Sequence, residues 1–100
     1  MPREIEAVYQ EIGELIFAKM PENWQKAVVT AERDGQGVLN LTGHYLPDND
    51  QESINFRVGP EITRSLVEVA NRLNQNDTQA WKKVSVSIEP SGEFNIDLSY

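Results

Sequence analysis

Apolar residues first recur at helical spacing. Ile5, Val8, Tyr9, Ile12, Leu15 and Ile16 fill one face of a helix predicted over residues 3–19. Pro2 suits its entry, Glu4 and Glu6 sit near the positive end of its dipole, and Pro21 ends it. Gly13 weakens this helix by about 1 kcal/mol relative to alanine. Residues 24–33 and 38–46 then read as strands, joined by the turn signal Asp34-Gly35-Gln36-Gly37. Pro47-Asp48-Asn49-Asp50 is a second turn, and Ile54, Phe56 and Val58 alternate with polar residues as a third strand. Gly59-Pro60-Glu61 opens a second helix with Ile62, Leu66, Val69, Ala70 and Leu73 on its apolar face, and Asn74-Gln75-Asn76-Asp77 frays its end. Arg64, Glu68 and Arg72 form a solvated charge row on the outer side of that helix. Val84, Val86 and Ile88, then Phe94, Ile96, Leu98 and Tyr100, alternate with polar residues around Pro90-Ser91-Gly92-Glu93, predicting a closing hairpin. The order is α-β-β-β-α-β-β. Short turns favour antiparallel neighbours, so the expectation is an α+β fold: a five-stranded antiparallel sheet with two helices on its apolar face.

Composition narrows the chemistry. The chain has 100 residues, suiting a single domain over 1–100. There is no cysteine and one histidine, which excludes a disulfide framework, a thiolate nucleophile and a zinc site built on cysteines or paired histidines. With 16 acidic and 9 basic side chains the net charge is −7. An acidic surface disfavours direct contact with nucleic acid or anionic membranes and attracts basic proteins. Residues 1–50 hold nine acidic and four basic groups, a balance of −5, and residues 51–100 hold seven and five, a balance of −2. Simple solubility also accounts for such an excess. No signal peptide or apolar run of the ~20 residues needed for a membrane span is visible, so the expected location is the cytoplasm.

Several residues invite a chemical reading. His44, in the second strand, is a candidate general base, but no nucleophile motif surrounds it. Asp48-Asn49-Asp50-Gln51-Glu52 begins like a calcium loop, yet the positions that need glycine and glutamate hold Ser53 and Gly59. A solvated acidic turn is the plain reading, and a docking surface for a basic partner the sharper one. Glu32 and Asp34 are spaced like an acid/base pair, but nothing in the sequence gives them a cleft. Trp24 and Trp81, flanked by Lys26 and by Lys82 and Lys83, suit core packing at the sheet ends better than stacking on single strands.

Two anchors carry a family resemblance. Tyr9-Gln10-Glu11-Ile12 runs into Met20-Pro21-Glu22-Asn23-Trp24. Trp81-Lys82-Lys83-Val84-Ser85-Val86 leads to Gly92-Glu93-Phe94-Asn95-Ile96-Asp97-Leu98-Ser99-Tyr100. In order and spacing the chain resembles the YezG-type immunity proteins of bacterial polymorphic-toxin systems; residues 34–60 are short and less aromatic than that pattern. The resemblance implies an α+β fold, no catalysis, no cofactor or metal, and protection of the producing cell by direct binding of a cognate toxin, often a nuclease. It also implies core roles for Trp24, Trp81, Phe94 and Tyr100.

Two functional classes follow. The first is a binding module that neutralises a basic toxin stoichiometrically. Its expected contact residues are Asp48, Asp50 and Glu52 with neighbouring Glu32 and Asp34; Glu4, Glu11 and Glu14, beside the stripe of the first helix, are the second choice. The alternative is a small enzyme or ligand-binding domain using His44 with a nearby carboxylate, which requires a pocket around His44. A structural subunit is the plainest option.

Overall fold

The computed structural model describes residues 4–48, 52–74 and 81–100. Helix α1 (Ile5–Lys19) is followed by β1 (Trp24–Arg33), β2 (Leu39–Pro47) and the short β3 (Ile54–Asn55). Helix α2 (Gly59–Leu73), β4 (Lys83–Ile88) and β5 (Phe94–Ser99) complete the α+β order read from the sequence. The strands form one antiparallel sheet in the order β3-β2-β1-β4-β5. No helix among the described residues is long and apolar enough to cross a membrane.

Strand alternation sorts the two sheet faces. Ala27, Val29 and Ala31 of β1 and Val84, Val86 and Ile88 of β4 are buried, together with Val8, Ile12 and Ile16 of α1 and Ile62, Leu66, Val69 and Ala70 of α2. The opposite face is polar: Thr30 pairs with Thr42 on one side and Ser85 on the other, and its hydroxyl lies 3.1 Å from that of Ser85. Both helices therefore cover one face, as the apolar pattern requires.

Contacts along α1 show how it crosses the sheet. Tyr9 packs on Phe94 of β5, with ring centroids 5.3 Å apart. A β-carbon at Gly13 would meet Ile88 of β4 at 3.3 Å. Phe17 stands edge-on to Trp24 of β1 at 5.2 Å. Residues four apart rise about 6 Å along a helix, and strands lie about 4.8 Å apart, so an i, i+4, i+8 row can step over three strands obliquely. Gly13 is the middle step, which accounts for a glycine inside a helix.

Trp24 reaches the core through an irregularity. Trp24 pairs with Pro47 and Lys26 with Leu46, so Gln25 is the extra residue of a bulge. Strict alternation from buried Ala27 would send Trp24 to the open face; the bulge returns it to the core, where it is 7% exposed. The Gln25 side-chain amide ties the site down by donating to the carbonyl oxygens of Pro47 at 3.1 Å and Asp48 at 2.8 Å. Trp81 is buried at the other end of the sheet. Its indole N–H donates to Asn71 Oδ1 at 2.8 Å, and the Arg33 guanidinium lies 4.1 Å from the ring centroid. Both tryptophans thus serve the core.

Three sequence expectations need correction. The third strand is two residues long, because Phe56, after its N–H bonds Gly43 O at 3.0 Å, folds with Val58 over the core side of β2. A methyl group at position 43 would meet Phe56 Cζ at 2.9 Å and Val58 Cγ2 at 3.0 Å, so this crossing needs glycine. Tyr100 is 43% exposed beyond the end of β5 and is not a core residue. Helix α1 starts at Ile5, after the extended Glu4, whereas the expected helix already included Glu4; residue 3 lies outside the described residues. The fraying expected after Asn74 falls on residues 75–77, outside the described residues. Of the charge row expected on α2, the Glu68–Arg72 pair is formed, with Arg72 Nη2 3.7 Å from Glu68 Oε2.

Two stability effects follow. Gly43→Ala should cost about 1–3 kcal/mol through overpacking, read as a lower denaturant midpoint; an unchanged midpoint would contradict the close approach. Asn71→Ala leaves a buried indole N–H without its acceptor and should cost about 1–3 kcal/mol. Arg72→Ala, which loses only a surface pair, should cost about 0.5 kcal/mol or less.

Candidate functional site

The carboxylates singled out from the sequence do not form one patch. Glu32 lies near the end of β1 on the open face, opposite Asn40 and Lys83. Asp34 follows in the turn, where its Oδ1 accepts the backbone N–H groups of Gln36 at 2.8 Å and Val38 at 2.9 Å. That carboxylate holds the turn, and Gly37, at φ 81°, completes it. Asp48 lies at the other limit of the same hairpin, its N–H bonded to Asn23 O at 2.9 Å. Ten-residue β1 at ~3.3 Å per residue separates the two ends by about 30 Å. The expectation that Glu32 and Asp34 neighbour Asp48 and Glu52 is therefore corrected: a hairpin juxtaposes strand partners and holds its turn and its open end apart. Glu52 is exposed two residues before β3, and Asp50 lies outside the described residues.

The second set divides as well. Glu4 is the residue before α1, and its carbonyl accepts from Ala7 and Val8. By helical rotation Glu4 and Glu11 lie on roughly the opposite side of α1 from Gly13. Glu14 borders a groove instead.

That groove runs between α1 and the β4–β5 turn and encloses about 520 Å³. Tyr9, Gly13, Phe17, Ile88 and Phe94 make its apolar lining. Glu6 and Glu14 stand at its edge, and the Gln10 side-chain amide donates to Glu14 Oε1 at 3.2 Å. Phe17 is 38% exposed, although the ring rests on Trp24. Gly92, at φ 95°, closes the groove from the turn, where its N–H bonds Glu89 O at 2.9 Å. The same turn crowds two carboxyls. The Glu89 carboxyl is held above its ordinary value, first by a hydrogen bond with the Glu93 side chain, then by the charge of Glu93 and by desolvation, with Lys26 opposing. The groove, the turn and Asp48 all belong to one end of the sheet, because Trp24 pairs with Pro47, Ala27 with Ile88, and Ile88 with Phe94.

Two further hollows are smaller. One, about 400 Å³, sits where Phe56 and Val58 cross Gly43. The other, about 420 Å³, is a polar dip on the open face lined by Lys83, Ser85, Asp97 and Ser99. His44 lines none of the three. It is half-buried on β2, paired across the strands with Val28 and Asn55. Among the described residues no three carboxylate or imidazole groups come together as a metal ion would require.

The apolar groove was hidden from sequence reasoning because its two walls are about 80 residues apart in the chain. One signal was present: Phe17 lies just outside the stripe that ends at Ile16, an aromatic more than the core-facing side of α1 needs.

The model of the family described as "Immunity protein YezG-like" matches residues 5–100. The chain is similar to immunity protein YezG of Bacillus subtilis (strain 168), at 25% identity, with 93% of this chain and 71% of that protein aligned. It is equally similar to immunity protein YezG of Bacillus spizizenii, at 25% identity, with 93% of this chain and 66% of that protein aligned. The match takes in both helices and all five strands, the apolar groove and both ends of the first hairpin, and on it the chain belongs to the YezG-like immunity protein family.

Proposed function

We propose that this protein neutralises a cognate bacterial toxin of a polymorphic-toxin system by binding it one to one in the cytoplasm of the producing cell, with no chemistry of its own. Membership of the immunity protein family carries this reading. The net charge of −7 favours a basic partner, and a nuclease toxin, which must hold phosphates, fits that description. The acidic protein would occlude the phosphate-binding cleft or dock on its rim.

The proposed contacts are Asp48, Asp50 and Glu52, with Glu32 and Asp34 as a separate group and Glu4, Glu11 and Glu14 as a further choice. A standard interface buries about 800 Å² per partner, a disc roughly 30 Å across. One footprint would reach both Asp48 and Glu32 only by lying along the first hairpin. Asp48, at the open end of the hairpin, and Glu52, shortly before β3, are therefore taken with Asp50 as the primary group.

Co-expression tests the function. Cells carrying the toxin encoded beside this gene should survive only when the chain is present, and the two proteins should co-purify at equal stoichiometry. Survival without a complex would remove the direct-binding reading. Charge reversal at Asp48, Asp50 and Glu52 together should slow association by about tenfold at low salt and flatten its salt dependence. Unchanged association kinetics in that variant would remove the hairpin end from the interface.

A further inference from the structure

We propose that the groove between α1 and the β4–β5 turn is the anchor site for the toxin, receiving one apolar side chain that lysine or arginine residues flank. The proposal rests on the toxin-neutralising reading above and adds the chemistry of the contact. The lining is apolar and partly aromatic, and Phe17 remains 38% exposed within it. Partly exposed aromatic side chains in a concave apolar site are what a binding hot spot is made of. The groove lining includes two carboxylates, Glu6 and Glu14, and no basic side chain. The adjoining turn adds Glu89 and Glu93, close enough to share a hydrogen bond. An apolar floor edged by Glu6 and Glu14 is complementary to an apolar side chain with cationic neighbours, and Lys26, which opposes Glu89 at the turn, is not part of the lining.

Charge also argues against a second copy of this chain as the occupant. Two such grooves brought together would oppose Glu6 and Glu14 of one copy to the same residues of the other, each copy carrying −7. A small polar ligand fits poorly as well, because few polar groups converge inside and the Gln10 amide is engaged by Glu14. The groove shares its end of the sheet with Asp48, so a single footprint can cover both.

Three variants of the full chain test this against the toxin domain encoded beside the gene. Phe17→Ala should weaken the complex at least about tenfold, mainly through faster dissociation. Because Phe17 rests on Trp24, its fold is checked by thermal unfolding. The double variant Glu6→Lys with Glu14→Lys changes exposed surface only and should slow association by about tenfold. An equal charge change placed away from the groove, Glu61→Lys with Asp97→Lys, should act several-fold less. The chain has no cysteine, so Gln10→Cys introduces a single thiol at the groove. Its maleimide labelling should fall about tenfold in the complex.

A wild-type complex whose affinity and kinetics are indifferent to Phe17→Ala and to the Glu6 and Glu14 reversal would overturn the groove while leaving the proposed function standing. Failure of the wild-type chain to bind the toxin would overturn both. Self-association of the free chain that Phe17→Ala abolishes would assign the groove to a second copy and overturn the proposal.

Discussion

One apolar face of a five-stranded sheet has to be covered, and two fifteen-residue helices must cover it from the same side. The fit depends on α1 stepping over three strands with one row of side chains: Tyr9 on Phe94, Gly13 on Ile88 and Phe17 on Trp24. A β-carbon at the middle step would press on Ile88 Cδ1 at 3.3 Å, and a flat β1 would turn Trp24 away from the last. Gly13 and the bulge at Gln25 are therefore parts of one arrangement, separated in sequence and joined by packing. The other half of the sheet is closed by Phe56 and Val58 crossing Gly43, where again a glycine sits beneath aromatic and branched side chains.

The same arrangement creates the groove proposed above as the toxin's anchor. Helix α1 spends its core-facing side on Val8, Ile12 and Ile16, and its next row overhangs the end of the sheet. Because the β4–β5 turn lies below, that overhang becomes a groove instead of a flat helix side. The carboxylates around it are ordinary solvated groups taken singly. Gathered at one end of the sheet, with the Glu93 side chain hydrogen-bonded to the Glu89 carboxyl, they give that end a field no single residue has. Under the proposed binding mode, field and groove would divide the task between encounter and retention.

Much of this was legible in the residues. The 3.6-residue period of α1 and α2 and the two-residue period of β4 and β5 are local signals, and the structure follows them closely. The run Ile54, Phe56, Val58 misleads because alternation describes side-chain direction only while the chain stays in the sheet; Phe56 and Val58 are apolar because they cross β2, not because they extend β3. Tyr100 continues the parity of β5 but lies beyond its last residue and stays 43% exposed. Glu32, Asp34, Asp48 and Glu52 sit close in sequence and far apart in space, since the long β1–β2 hairpin lies between its own ends.

The sequence by itself determined the elements, the apolar face of each, the antiparallel pairing of sequential strands, the absence of thiol chemistry and the acidic surface, because each of these depends on residues within a few positions of one another or on composition alone. Only the tertiary structure decided that β4 adds to β1 and so makes β1 central, that a bulge turns Trp24 inward, and which carboxylates share an end of the sheet. It alone formed the groove, by setting Phe17 and Phe94 on two walls of one hollow. Those outcomes turn on contacts between residues tens of positions apart, and such contacts are chosen by packing rather than by local propensity.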